Sequence, residues 1–270
     1  MFKLNKYKSI CSIPLSCLEG LGVRLFLLSF FLSINSFATN PAIEKAKADF
    51  KKMNSLYQVT TSYSLDIQYS VYDNHVNGNL VETKSGKYIK YKNASYTKLL
   101  DLITLVNAKN TIVVNNEDKE IVLADTKIVE LSPMQTNMDT ILSLCNNVSY
   151  TDIGTTLRHY VMEFDDDEYS EFSKIDIYIN LSNYSLNKMV LFYNQELPLN
   201  QNDFYAQEKK PRLEITYKPF KIIATPSSAI TELFNETNYL TASGSTFKAS
   251  LKYSNYKVIN QLNAFRLKKK

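Results

Sequence analysis

The chain has 270 residues, with 31 Lys+Arg against 27 Asp+Glu, 19 Tyr, no Trp and three Cys. Most of its formal charge of +4 comes from the first 38 residues, where Lys3, Lys6, Lys8 and Arg24 face only Glu19. The remainder is close to neutral, which excludes an electrostatic case for nucleic-acid binding.

The N-terminus reads as an address. Basic residues precede the apolar run Leu25–Ile34, and Ser36-Phe37-Ala38 follows with small residues at the cleavage positions. This is the order of a secretory signal. The run is shorter than the ~20 apolar residues that span a bilayer, so cleavage after Ala38, a periplasmic location and no transmembrane helix after cleavage are expected. Pro14-Leu15-Ser16-Cys17 lies before the apolar run and does not suit a lipoprotein signal. Cys11 and Cys17 leave with residues 1–38, so Cys145 is alone and no internal disulfide can form. It lies in the series Met138, Ile141, Leu142, Cys145 and reads as a small buried hydrophobe.

Residues 39–270 are enough for one large β domain. Asn40 and Pro41 predict a helix start, and Ile43, Ala46, Phe50 and Met53 form one apolar stripe, with lysines on the other sides. From Tyr57 to Val71 the chain alternates: Tyr57, Val59, Thr61, Tyr63, Leu65, Ile67, Tyr69 and Val71 share one face. A period of two predicts a half-buried strand. Its span is roughly 50 Å at ~3.3 Å per residue, which predicts one large, curved antiparallel sheet.

Asn77-Gly78 then predicts a hairpin. A strict two-residue turn would set Lys84 opposite Val71 and Lys90 opposite Leu65, burying two ammonium groups. Either a longer loop or a bulge at Gly86 is therefore expected, the bulge setting Ile89 opposite Ile67 and Tyr91 opposite Leu65. Further strands are expected at Tyr96–Val106 (in preference to a short helix), Thr111–Val114 and Glu120–Ala124. Ser132-Pro133 predicts a second helix carrying Met134, Met138, Ile141, Leu142 and Cys145. Strands follow at Leu157–Phe164, Phe172–Ile179, Leu186–Tyr193 and Arg212–Tyr217, with a final one near Ser254–Leu262 and a solvated Lys268-Lys269-Lys270 tail.

Catalytic chemistry is sparse. His75 falls in a turn and His159 in a strand, and without a partnering His or Cys cluster no zinc site is expected. Nucleophile-elbow and phosphate-loop motifs are absent, and six Gly in the whole chain leave little for phosphate-cradling loops. Asp165-Asp166-Asp167-Glu168 reads as a solvated loop, with weak calcium binding as its sharper alternative. No cofactor, no metal and no enzymatic activity are expected. What remains is a wide apolar face on long strands. Tyr63, Leu65, Ile67 and Tyr69, joined by Ile89 and Tyr91, are the candidate ligand-binding residues, since an apolar hollow gains ~0.8 kcal/mol per buried CH₂ of a lipid or acyl chain.

The order of elements resembles a known family: an N-terminal helix, a long strand and hairpin, Gly78-Asn79-Leu80-Val81-Glu82 leading into Gly86-Lys87-Tyr88-Ile89-Lys90-Tyr91, then Ile175–Ile179 paired with Tyr184–Tyr193. It is similar to the periplasmic outer-membrane lipoprotein carrier (LolA-like) superfamily, in a divergent, Bacteroidota-type version. The resemblance covers residues 39–220 and leaves 221–270 as an extension completing the same domain. It implies an α+β, mainly β fold: an unclosed antiparallel half-barrel with two helices packed on its concave face. It also implies a carrier for lipoprotein acyl chains or another hydrophobic ligand. The alternative is a non-enzymatic adaptor subunit that binds other envelope proteins through a sheet edge. No individual functional residue is carried over, because the Arg that the carrier uses near the mouth of its hollow has no counterpart on the first long strand.

Overall fold

The computed structural model describes residues 40–126, 138–165, 170–196, 209–243 and 246–262. Helix α1 (Pro41–Val59) starts as expected, with the Asn40 side chain accepting from Ala42 N at 2.9 Å. It runs past Met53, because Phe50, Met53 and Tyr57 continue a single helical stripe, and all three are buried. Tyr57 and Val59 fit either period, and the helix takes them. Strand β1 is therefore Ser62–Tyr72, shorter than the expected Tyr57–Val71 run.

The hairpin from β1 to β2 (Leu80–Tyr91) decides which residues share a face. It uses the longer loop. Asp73 N donates to Asn79 O at 3.0 Å, and Asn79 N donates to the Asp73 carboxylate. Gly78 is required there, since a Cβ would lie 2.6 Å from the Asn74 backbone. Gly86 is not bulged; it pairs regularly with Ile67, and the ladder irregularity falls at Val71/Tyr72. Leu65 is opposite Tyr88, Ser64 opposite Ile89 and Ser62 opposite Tyr91. The expectation that Ile89 and Tyr91 share the face of Leu65 and Ile67 is thereby corrected: they lie on the opposite face. Lys90 and Lys84 do fall on the Leu65 face, opposite Tyr63 and Tyr69. Their charges are not stranded. Lys84 stays exposed beside Glu82, and Lys90 Nζ donates to Tyr57 O and Gln58 O, two carbonyls left over at the end of α1.

Strands β3 (Ala94–Leu99) and β4 (Leu102–Val106) divide the expected Tyr96–Val106 strand at a tight turn, where Leu100 has φ 54°. Then come β5 (Asn110–Asn115) and β6 (Glu120–Asp125). Helix α2 is described at Met138–Leu144, and its expected Ser132-Pro133 start lies outside the described residues. Strand β7 (Asn147–Ile153) is additional to the expected set, whereas β8 (Leu157–Glu163), β9 (Phe172–Asn180), β10 (Leu186–Tyr193) and β11 (Arg212–Tyr217) match it. The C-terminal part supplies β12 (Lys221–Ile222), α3 (Ser228–Leu233), the hairpin β13 (Leu240–Ser243) and β14 (Thr246–Ala249), and β15 (Lys257–Asn260).

One sheet runs in the order β15-β6-β5-β4-β3-β2-β1-β11-β10-β9-β8-β7, with β12 beside β1. Its end strands do not meet, so it is an unclosed sheet, and every pair is antiparallel except β15–β6. Two cores form on its opposite faces. On the inner face α1 and α2 cover Tyr63, Leu65, Ile67, Tyr160, Met162 and Ile177. On the other face Tyr239, Leu240 and Tyr253 cover Ile89, Tyr96, Leu105, Ile112 and Leu123.

Leu65 is 1% exposed on the inner face. Leu65→Ala should cost about 2–5 kcal/mol in a urea titration, through lost transfer energy and the cavity left behind. A cost below ~1 kcal/mol would mean that α1 does not pack tightly on this strand.

Candidate functional site

The inner face divides into a closed half and an open half. α1 lies across the strand ends carrying Tyr63, Ile179, Leu186 and Arg158. Tyr57 anchors it there: its hydroxyl accepts from Leu186 N at 3.1 Å, and its ring packs against Tyr63 and Phe220 at centroid distances of 5.6 Å each. Asp49 anchors it a second time. Its carboxylate is fully buried and accepts from Arg158 Nη1 and Tyr160 Oη, each at 2.7 Å. The Arg158 guanidinium also forms a two-pronged bond to Asp152, at 2.6 and 2.8 Å, and lies over the Tyr150 ring. Burial raises the Tyr160 hydroxyl pKa, and Arg158 holds the Asp152 carboxyl below its usual range.

Beyond α1, apolar side chains on the same face stay partly exposed. Tyr69 and Val71 on β1, Ile215 on β11, and Met189 and Leu191 on β10 form adjacent cross-strand rows: Tyr69–Ile215–Met189 and Val71–Leu213–Leu191. Leu99 on β3 extends the strip past Gly86, over which Tyr69 lies; a Cβ there would meet the Tyr69 ring at 3.1 Å. From β3 to β10 the strip spans five strands, roughly 19 Å at ~4.8 Å per strand. A single leaflet of bilayer hydrocarbon is about 15 Å deep. The strip is therefore long enough for an acyl chain laid across the strands.

Of the residues singled out from sequence, Tyr63, Leu65 and Ile67 lie beneath α1, Tyr69 lies in the open strip, and Ile89 and Tyr91 lie on the other face. Sequence reasoning missed Met189, Leu191 and Ile215, whose strands it placed but whose pairing it could not see. It also missed the Asp49–Arg158–Asp152 network. One signal was present: Asp49 interrupts the apolar stripe of α1, next to Phe50 and four residues before Met53.

The two histidines sit away from the strip. His75 Nε2 meets Tyr193 O at 2.9 Å and its ring packs edge-on to Phe192, with its pKa lowered by burial. His159, on the outer face, stacks on Tyr178 and lies 3.4 Å from the Asp176 carboxylate. A cleft of about 540 Å³ beside His75 is lined by Asn147, Glu163, Lys174 and Phe192, whose polar groups pair among themselves and with Asp176. Cys145 is partly buried, donates to Ile141 O and has its thiol pKa pushed up to about 11 by burial. Asp166–Glu168 of the acidic cluster lie outside the described residues. Among the described residues no group of His, Cys, Asp and Glu is arranged to hold a metal ion, and no helix is long and apolar enough to cross a membrane.

No family model and no curated protein matches this chain. Solved structures do match its fold. An uncharacterized conserved protein from Thermus thermophilus shares 7% identity, covering 80% of this chain and 99% of its own, at a TM-score of 0.40. A LolA superfamily protein from Nitrosomonas europaea shares 11%, covering 70% and 97%, at 0.28. The lipoprotein LppX of Mycobacterium tuberculosis shares 12%, covering 70% and 100%, at 0.39. The superfamily indicated by the sequence pattern is thus among those whose solved structures match. The likeness is distant and concerns the fold, so function has to come from this chain's own residues.

Each of the α1 anchors can be tested. Arg158→Leu leaves the buried Asp49 carboxylate with only the Lys45 cation, 3.9 Å away on its own helix, and should cost about 3 kcal/mol, whereas the Asp49→Leu, Arg158→Leu double variant should recover much of that loss. Equal costs for the two in urea titrations would show that the charge pairing does not hold the helix. Burial pushes the Tyr57 hydroxyl up to about 12 from 10. The folded state therefore keeps a proton that the unfolded state gives up, and stability present below pH 10 should fall as pH rises toward 12. Melting curves across that window, compared with those of Tyr57→Phe, check it, because the variant should show a shallower alkaline decline.

Proposed function

We propose that the protein is an exported, non-enzymatic binding or carrier protein for an acyl chain of a lipid or lipoprotein. The observation that carries this reading is the apolar strip of Tyr69, Val71, Met189, Leu191 and Ile215, left partly exposed on the inner face of an unclosed sheet. Cross-strand apolar rows of this kind are ordinarily buried, and each CH₂ of a ligand laid on them contributes roughly 0.8 kcal/mol. The closed half of the same face, with Leu65 and Ile67 under α1, supplies a rigid floor beside it. The leader pattern ending at Ala38 supports export to the periplasm. Within this reading Ile89, in the second core, and Tyr91, on the same outer face beside Phe234, take no part in binding.

Native mass spectrometry of the protein recovered from the producing cells' envelope tests the reading. The expected result is a chain beginning at Thr39 that carries lipid, and that takes up a fluorescent fatty acid once stripped. Ile215→Glu should abolish that uptake while the far-UV spectrum stays native. An apo mass with no uptake by the parent protein would overturn the carrier reading. Recovery of a stoichiometric partner protein would favour an adaptor role. For that role the relevant feature is edge strand β7, whose residues are exposed except Val148 and whose outer side no described strand pairs.

A further inference from the structure

Three segments converge where α1 ends. Val59 closes the helix, the Lys92-Asn93 turn joins β2 to β3, and Lys218–Ile222 leads from β11 into β12. Backbone bonds fix the meeting: Lys92 N donates to Thr61 O at 2.8 Å, Ile223 N to Ser62 O at 3.0 Å, and Lys218 N to Asp66 O at 2.9 Å. Phe220 pins the third segment to the first, its ring 5.6 Å from Tyr57 and 4.9 Å from Tyr63. Ile222 is the cross-strand neighbour of Tyr63, on the side away from Lys90.

What this arrangement leaves outward is both apolar and basic. Val59 is 75% exposed and Ile222 71% exposed. Around them stand Lys92 and Lys218, both exposed, and Lys221. Within residues 57–66, 87–93 and 218–223 the carboxylate is that of Asp66, which has Lys87 and Lys221 each at 3.7 Å. Lys90 is committed to the helix carbonyls. Cations therefore outnumber the carboxylate around two bare aliphatic side chains.

Stable protein interfaces bury upward of about 1,000 Å² with a contiguous apolar centre. Two isolated aliphatic side chains ringed by flexible lysines fit a fluid, anionic surface better, because each can enter the headgroup–acyl boundary while the ammonium groups meet phosphates. We propose that this end of the sheet docks on an anionic bilayer surface. Val59 and Ile222 enter the boundary, and Lys92, Lys218 and Lys221 contact lipid phosphates. The assignment stands on these residues alone and does not require that the inner strip bind an acyl chain.

Flotation of the protein, as recovered from the producing cells, with vesicles provides the test. It should associate with vesicles containing phosphatidylglycerol, not with phosphatidylcholine alone, and added salt should release it. Lys92→Gln and Lys218→Gln should each weaken the partition about fivefold, the equivalent of roughly 1 kcal/mol per lysine. Val59→Ser with Ile222→Ser should weaken it further with an unchanged melting curve, since both side chains are solvent-exposed. Leu251→Ser is the control; Leu251 is 95% exposed but lies between β14 and β15 and should have no effect. Absence of any preference for phosphatidylglycerol would overturn the proposal, as would an equal loss in the control. Binding that survives the Val59 and Ile222 substitutions would follow charge alone, assigning this end to an acidic protein or polymer and overturning the lipid assignment.

Discussion

Burying Asp49 within the apolar stripe of α1 obliges the helix to lie where a cation can reach it. Arg158 on β8 is that cation, with Asp152 holding the far side of its guanidinium fork and Tyr160 donating to the same carboxylate. The other end of the helix is held by Lys90, reaching from β2 to the last carbonyls. These two tethers place α1 across one end of the strands. The apolar rows at the other end are left partly exposed for that reason, and not for lack of hydrophobic residues on the helix.

The second constraint is parity. A β-strand alternates faces, so the Asp73–Asn79 loop together with the ladder irregularity at Val71/Tyr72, where the partner steps from Glu82 to Leu80, decides which side of the sheet the rest of β2 occupies. With the observed register Tyr88 joins Leu65 on the inner face, and Ile89 joins Tyr96, Leu105 and Ile112 on the outer one. One helix pair cannot cover both. The C-terminal part, with Tyr239, Leu240 and Tyr253, packs onto the outer face of β2–β6. Two cores on opposite faces of a single sheet follow from that loop and the irregularity beside it, and the partly exposed strip falls on the side that the C-terminal part does not reach.

The chemistry of the surface is then distributed by face. On the outer side of β8–β11 each cation has a carboxylate beside it, Lys188 and Arg212 sharing Glu214 while Lys174 and His159 flank Asp176. At the α1 terminus two exposed aliphatic side chains, Val59 and Ile222, stand among lysines. A protein that holds an apolar guest on one part of its surface and meets a bilayer with another would need such a division. The sheet supplies it by presenting different residue sets at its two strand ends.

On their own, the residues determine the start of α1 and the strands β8 to β11, but not β7, α3 or the β13–β14 hairpin. Alternation marks β8 to β11 and the Asn40-Pro41 start marks α1, because these signals are local and depend on backbone and solvent alone. Where two periods overlap, at Tyr57 and Val59, the local signal is ambiguous, and packing of Tyr57 beside Phe50 and Met53 settles it for the helix. Leu100 turns the chain at positive φ with no Gly or Asn to announce it. The candidate site was only partly legible for a related reason: Tyr69 could be placed on a face by counting, but Met189 and Ile215 join it only through pairing β1 with β11 and β11 with β10. Asp49 was visible as a polar break in an apolar stripe, while Arg158, more than a hundred residues away, was not visible as its partner. Periodicity is written into consecutive residues; register and long-range charge pairing are free-energy choices among distant segments, and only the tertiary structure makes them.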